Sequence, residues 1–183
     1  MSIQHRNDEL VDLLRPDFVG NDGTASPTFT NEYLTGSHRA SVSIGVRVYR
    51  TAPQIIGSAA WTEIIFDAQR WDDPDDNQWA VAPNPTRLTC QIDGIYVITG
   101  HILWLDNAVG QRVVAIWLNG TTFIAMHTHI NLVATLLSQS VATTYKLTVG
   151  EFVELRVYQD SGGNLNITSS ANYSPEFSMV RIA

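Results

Sequence analysis

From residue 42 onward the chain alternates. Val42-Ser43-Ile44-Gly45-Val46-Arg47-Val48-Tyr49-Arg50 sets apolar against polar residues at period two, the pattern of a strand with one face in a core and the other in water. Similar short runs recur over 61–66, 95–105, 113–118, 121–127, 138–147, 152–159, 165–169 and 176–182. Turn formers stand between them: Asn119-Gly120, Gly150 and Asp160-Ser161-Gly162-Gly163-Asn164. Side chains on a strand change face at every residue, whereas helical faces repeat every 3.6, so these runs cannot bury one face as helices. Their β-branched and aromatic residues favour the pleated surface as well. About eight to ten antiparallel strands in close succession predict an all-β sandwich or barrel and exclude the α/β nucleotide-binding folds.

Residues 1–41 read differently. Asn7 caps a short helix, with Asp8 and Glu9 in its first turn, where acids complement the helix dipole, and Pro16 ends it after Arg15. Leu10, Leu13 and Leu14 share one face, and Phe18 follows. A helix of barely two turns does not persist alone in water, so its apolar face needs a partner. From 20 to 41 the chain is rich in Gly, Ser, Thr, Asn and Pro, which predicts an extended arm. The organisation is thus an anchoring arm over 1–41 and a β-domain over 42–183.

Composition narrows the function classes. The 183 residues carry 11 basic and 18 acidic side chains, a net charge of −7, which argues against a nucleic-acid-binding surface. No run approaches the roughly 20 apolar residues of a membrane span. Cys90 is the only cysteine, so no intrachain disulfide framework exists. The first residues lack a basic segment followed by an apolar one, so no signal peptide is expected. Charged residues make up 16% of the chain against 44% hydrophobic, enough apolar material for a core and an interface besides.

Five motifs in order resemble the complement C-one-q and tumour-necrosis-factor jelly-roll superfamily over about residues 42–183. They are Ile64-Ile65-Phe66-Asp67, then Gly94-Ile95-Tyr96, Leu118-Asn119-Gly120, Leu147-Thr148-Val149-Gly150-Glu151-Phe152-Val153, and Phe177-Ser178-Met179-Val180. Met179 departs from the family, where Gly usually follows Phe-Ser. Gly94 and Gly150 are expected where turning backbone needs φ values that a side chain opposes, with Tyr96 and Phe152 anchoring the two sheets. The resemblance implies a jelly-roll β-sandwich assembled as a homotrimer around a threefold axis.

Candidate sites are few. His127 and His129 fall on one face of a strand and form a candidate metal or anion site if repeated around an axis, with exposed strand-end histidines as the plainer reading. His101, inside the long 95–105 run, is expected in the core or an interface. Asp72, Asp73, Asp75 and Asp76 crowd one segment, so they either lie solvated or hold a hard cation such as calcium, although Asp-x-Asp-x-Asn-Gly spacing is missing. The flanking Trp71 and Trp79 are candidate ligand-stacking residues, for sugars above all, or staples that fix the loop. No Gly-x-Ser-x-Gly, His-Glu-x-x-His or Gly-Lys-Ser/Thr motif occurs, and Cys90 reads as a small buried residue. No catalytic residue is therefore assigned and the expected protein is not an enzyme.

The reading that unites arm and domain is a virion structural protein. Small single-domain chains of this layout resemble capsid decoration or head-fibre proteins of tailed bacteriophages, assembled in the host cytoplasm. Leu10, Leu13, Leu14 and Phe18 would dock on the major capsid protein or another virion protein. The alternative is a trimeric receptor- or carbohydrate-binding head that recognises a host surface glycan.

Overall fold

A computed structural model describes residues 44–72 and 77–183. The described residues form twelve strands and no helix: β1 (Gly45–Tyr49), β2 (Gln54–Ile56), β3 (Thr62–Glu63), β4 (Ala68–Asp72), β5 (Arg87–Thr89), β6 (Gly94–Trp104), β7 (Gln111–Leu118), β8 (Thr122–Ile130), β9 (Leu137–Leu147), β10 (Phe152–Gln159), β11 (Leu165–Ile167) and β12 (Glu176–Arg181). Two antiparallel sheets result. The first runs β9-β6-β12-β1-β4, with β11 and β2 continuing beside the far end of β6. The second runs β8-β7-β10, and both β3 and β5 pair with the free side of β10. The helix and anchoring residues expected over 1–41 lie outside the described residues.

Period-two alternation builds the core. On β6, Tyr96, Ile98, Ile102 and Trp104 point inward and are fully buried, as do Val46 and Val48 on β1 and Phe177 and Met179 on β12. They meet Val114 and Ile116 of β7 and Val153, Leu155 and Val157 of β10. Each such side chain contributes about 1.5–3 kcal/mol when withdrawn from water. Leu155 lies close over Gly100: a Cβ at position 100 would stand 2.4 Å from the Leu155 Cδ1.

Turn chemistry follows the motifs in part. Asn119 and Gly120 both have positive φ, 50° and 68°, and close the β7–β8 hairpin, as the right-handed twist of paired strands requires. Gly150 has φ 88° in the β9–β10 turn. Gly94 is needed for a different reason from the one expected. Its φ is ordinary, but a Cβ there would lie 2.4 Å from the Ala183 carbonyl oxygen and from the Arg181 Nε. Tyr96 enters the core as expected, its hydroxyl donating to the Ile92 carbonyl at 2.7 Å. Phe152 does not. It lies on the outer side of the second sheet under the Arg87 guanidinium, 4.0 Å from its ring centroid, and Val153 takes the core position.

Strands β2, β4 and β5 exceed the alternating runs of the sequence. The last two show why. β4 is polar but pairs with β1 through a bulge at Arg47/Val48, and β5 completes the free side of β10. Both exist through their neighbours more than through their own residues.

Candidate functional site

The two flanks of the sandwich differ in charge. On one, β3, β4 and β5 carry Glu63, Arg70, Asp72 and Arg87. On the other, from Val113 to Tyr145, no Asp, Glu, Lys or Arg occurs. That stretch contains β8 and all of β9 but its last two residues, Lys146 and Leu147, and β8 and β9 are edge strands of their respective sheets. They adjoin each other: His127 Nδ1 lies 3.0 Å from the Ser140 carbonyl oxygen, and Gln139 Nε2 donates to the carbonyls of His127 and Arg112, each at 3.3 Å. Gln139 also accepts the Trp104 indole N–H at 2.7 Å. The flank is thus built firmly from within.

Outward, the same flank is apolar. Met126 and Ile130 on β8, and Leu132, Val133 and Leu136 on the connection to β9, are 52% to 80% exposed, Leu132 the most. Val109 joins them from the β6–β7 loop. This loop is held by Arg112, fully buried, whose guanidinium donates to the Val109 and Gln111 carbonyls at 2.8 and 3.0 Å. Burial pushes the Arg112 guanidinium pKa down and the Asp160 carboxylate opposes this. Exposed edge strands are normally guarded by charge or proline because their unpaired backbone recruits other chains. On the β8–β9 flank the one such guard among the described residues is Lys146, near the end of β9.

The outer face of the first sheet is polar in its middle. Glu176 is nearly buried and holds both Arg47 and Arg70, the latter through Nε and Nη2 at 3.1 and 2.8 Å. His101 lies on this face, not in the core. Its Nδ1 stands 2.6 Å from the Tyr173 carbonyl oxygen and its Nε2 2.8 Å from the Ser138 hydroxyl. The outer face of the second sheet carries a cluster of rings that the sequence reading passed over. Trp61 meets Trp117 edge-on at 5.4 Å, Trp117 meets Phe123 at 5.7 Å, and Arg156 stands 4.6 Å from the Trp117 ring. The rings cross at 69–70°, so they pack edge to face on one another.

The residues singled out in sequence separate. Trp71 is 41% exposed on β4, over Gly45. Trp79 is only 7% exposed, its indole N–H donating to the Pro85 carbonyl at 3.1 Å, so it is a staple with no open face for a sugar. Asp72 accepts the backbone N–H groups of Gln78 and Trp79, each at 3.1 Å, which closes its loop. Asp73, Asp75 and Asp76 lie outside the described residues. His127 and His129 are exposed on one side of β8, opposite Val114 and Arg112. No group of three or more His, Cys, Asp or Glu placed to hold a metal occurs among the described residues. Cys90 is buried, with Sγ 3.1 Å from the Ile92 carbonyl, and burial pushes its thiol pKa up.

No family model matches the chain, and no curated protein matches it by sequence. Solved structures do. The globular domain of a zebrafish complement 1qA protein superposes with a TM-score of 0.52 at 14% identity, covering 76% of this chain and 97% of its own. Eiger TNF from S. frugiperda gives 0.53 at 12%, covering 77% and 93%. Murine APRIL gives 0.56 at 10%, covering 75% and 98%. Sequence identity this low carries the likeness in fold alone, and the β-sandwich described here is a jelly roll of the complement C-one-q and tumour-necrosis-factor type.

Proposed function

We propose that the chain is one subunit of a non-enzymatic homotrimeric head, a virion structural protein of the capsid-decoration or head-fibre kind, held on its particle by residues 1–41. The observation that carries the trimer is the β8–β9 flank. Its large apolar side chains stand in water, and its sequence is free of Asp, Glu, Lys and Arg from Val113 to Tyr145, with Lys146 alone near the end of β9. Such a surface is stable when covered. A second copy covers it in a heterologous contact, and a ring closed by rotation satisfies every copy at once. Three is the number that the family resemblance implies.

The anchoring half rests on the sequence of the arm. In sequence, Leu10, Leu13 and Leu14 share one face of an expected helix too short to stand alone, with Phe18 after it and then a Gly/Ser/Thr/Pro-rich tether. That is the chemistry of a tail that docks on a lattice, with the major capsid protein or another virion protein as partner. The non-enzymatic reading is supported by the buried, poorly ionised thiol of Cys90 and by the absence of a catalytic motif in the sequence.

Two measurements test the proposal. Sedimentation equilibrium of the full chain is expected to give three times 20.3 kDa. Deleting residues 1–41 is expected to leave a soluble trimer that no longer co-sediments with particles. Co-sedimentation of the truncated trimer would show that the arm is not the anchor.

A further inference from the structure

A cavity of about 380 Å³ opens beside the end of β1, within the size range of small-ligand sites. Arg50, Arg70, Tyr49, Thr51, Ser169 and Ser170 line it, and among the described residues no carboxylate does. The chain as a whole carries −7, so a pocket walled by two guanidiniums runs against its general charge.

The charges do not cancel locally. Arg50 donates to two backbone carbonyls, Ile65 at 2.9 Å and Pro53 at 3.4 Å, and its buried Nε has no hydrogen-bond partner. Among the described residues Arg50 makes no ion pair. Its hydrogen bonds to these neutral carbonyls leave its positive charge uncompensated among the described residues. Arg70 shares the single carboxylate of Glu176 with Arg47 and lies flat on the Tyr49 ring, 3.9 Å from its centroid. The carboxylate of Asp67 is engaged by the Thr51 N–H and hydroxyl, each at 2.8 Å. Among the described residues, Arg70 is thus paired with Glu176 and Arg50 with no carboxylate.

The hydroxyls divide in the same way. Thr51 donates to Asp67, and Ser169 donates to the Arg50 carbonyl at 3.0 Å. The Ser170 hydroxyl has no partner among the described residues, although the Ser170 backbone is fixed by an N–H to the Ser174 carbonyl at 2.7 Å. A planar guanidinium binds carboxylate, sulfate and phosphate oxygens in matched pairs of hydrogen bonds.

We infer that this pocket binds the oxyanion group of a small ligand between Arg50 and Arg70, with the Ser170 hydroxyl as a further donor. The site depends neither on trimer formation nor on anchoring by the arm. The test is isothermal titration of the full chain with sodium phosphate, sodium sulfate and N-acetylneuraminate, at constant ionic strength set with sodium chloride. The first two probe free inorganic ions and the third a sugar carboxylate. At least one probe is expected to bind once per chain with a Kd below about 1 mM. Ser170→Asp puts a carboxylate of the chain's own against the two guanidiniums. It is expected to weaken binding at least tenfold and to raise the unfolding temperature without ligand. Arg50→Gln is expected to weaken binding to a similar extent, and Ser170→Asp keeps the test decisive if that variant folds poorly. The inference is overturned if no probe binds the wild type beyond the chloride control, or if the Kd in a folded Ser170→Asp chain stays within twofold of wild type.

Discussion

Leu132→Asp isolates the role of the β8–β9 flank. Leu132 is 80% exposed in the single chain, so the substitution removes no core contact, and exposed replacements of this kind change folding stability by about 0.5 kcal/mol or less. Its effect should fall on assembly. A Leu side chain moved wholly out of water contributes about 1.5–3 kcal/mol, so covering four-fifths of it contributes roughly 1–2.5 kcal/mol per subunit. Three equivalent contacts lose about 4–7 kcal/mol together, before the cost of burying an unpaired carboxylate is added. At 1.4 kcal/mol per factor of ten, the trimer association constant should drop by at least about 10³. Sedimentation velocity across a wide concentration range reads this directly, with near-ultraviolet circular dichroism confirming the fold. The expected outcome is a folded 20.3 kDa monomer where the wild type is a trimer. A variant that assembles as the wild type does, or a wild type that stays monomeric at every concentration, would refute the reasoning.

Two further outcomes test the domain itself. Gly94→Ala should destabilise by about 1–3 kcal/mol in urea unfolding, because the new Cβ meets the Ala183 carbonyl and the Arg181 side chain at 2.4 Å. An unchanged midpoint would mean that the C-terminal strand gives way freely. Glu151→Gln should alter the acid limb of stability. The Glu151 pKa is lowered, first by the Thr148 N–H at 2.8 Å and then by the Thr148 hydroxyl and the Asn119 amide. A carboxyl group depressed on folding stabilises above its unfolded pKa, about 4.3, and loses that contribution as pH falls through the folded value. The wild type should therefore exceed the variant at pH 7 and approach it near pH 3, as read by thermal unfolding at both.

The surface has a consistent electrostatic layout. Charge is gathered into ion pairs on the outer faces: Arg47, Arg70 and Glu176 on the first sheet, Arg87, Glu154 and Arg156 on the second. Glu154 is nearly buried and satisfied by Arg87 at 3.1 Å and Arg156 at 2.7 Å, a pairing that keeps a buried carboxylate tolerable. On the β8–β9 flank charge is confined to Lys146 near the end of β9 among the described residues, which leaves the hydrophobic effect as its main means of association.

The architecture was legible in sequence wherever one face of a strand is buried, because period-two alternation is a direct imprint of a core on the chain. Strands β6, β7, β9, β10 and β12 fall within a residue or two of the alternating runs, and the Asn119-Gly120 turn carries its conformation in its residue types. Tertiary structure decided what local sequence leaves equal. Phe152 and Val153 are adjacent and apolar, and only the register of β10 against β5 and β7 sends Val153 inward. Trp71 and Trp79 flank the same acidic segment, yet Trp79, donating its backbone N–H to Asp72 and its indole N–H to Pro85, is buried, while Trp71 is left in water. The charge-free stretch could be read off the sequence, but that it forms one flank followed only from the meeting of β8 and β9. Arg50, Arg70 and Ser170 are far apart in the chain and share no motif. They line one cavity because β1, β4 and the β11–β12 loop converge there. Residues brought together by the fold leave no pattern along the chain, since the forces that select them act through space.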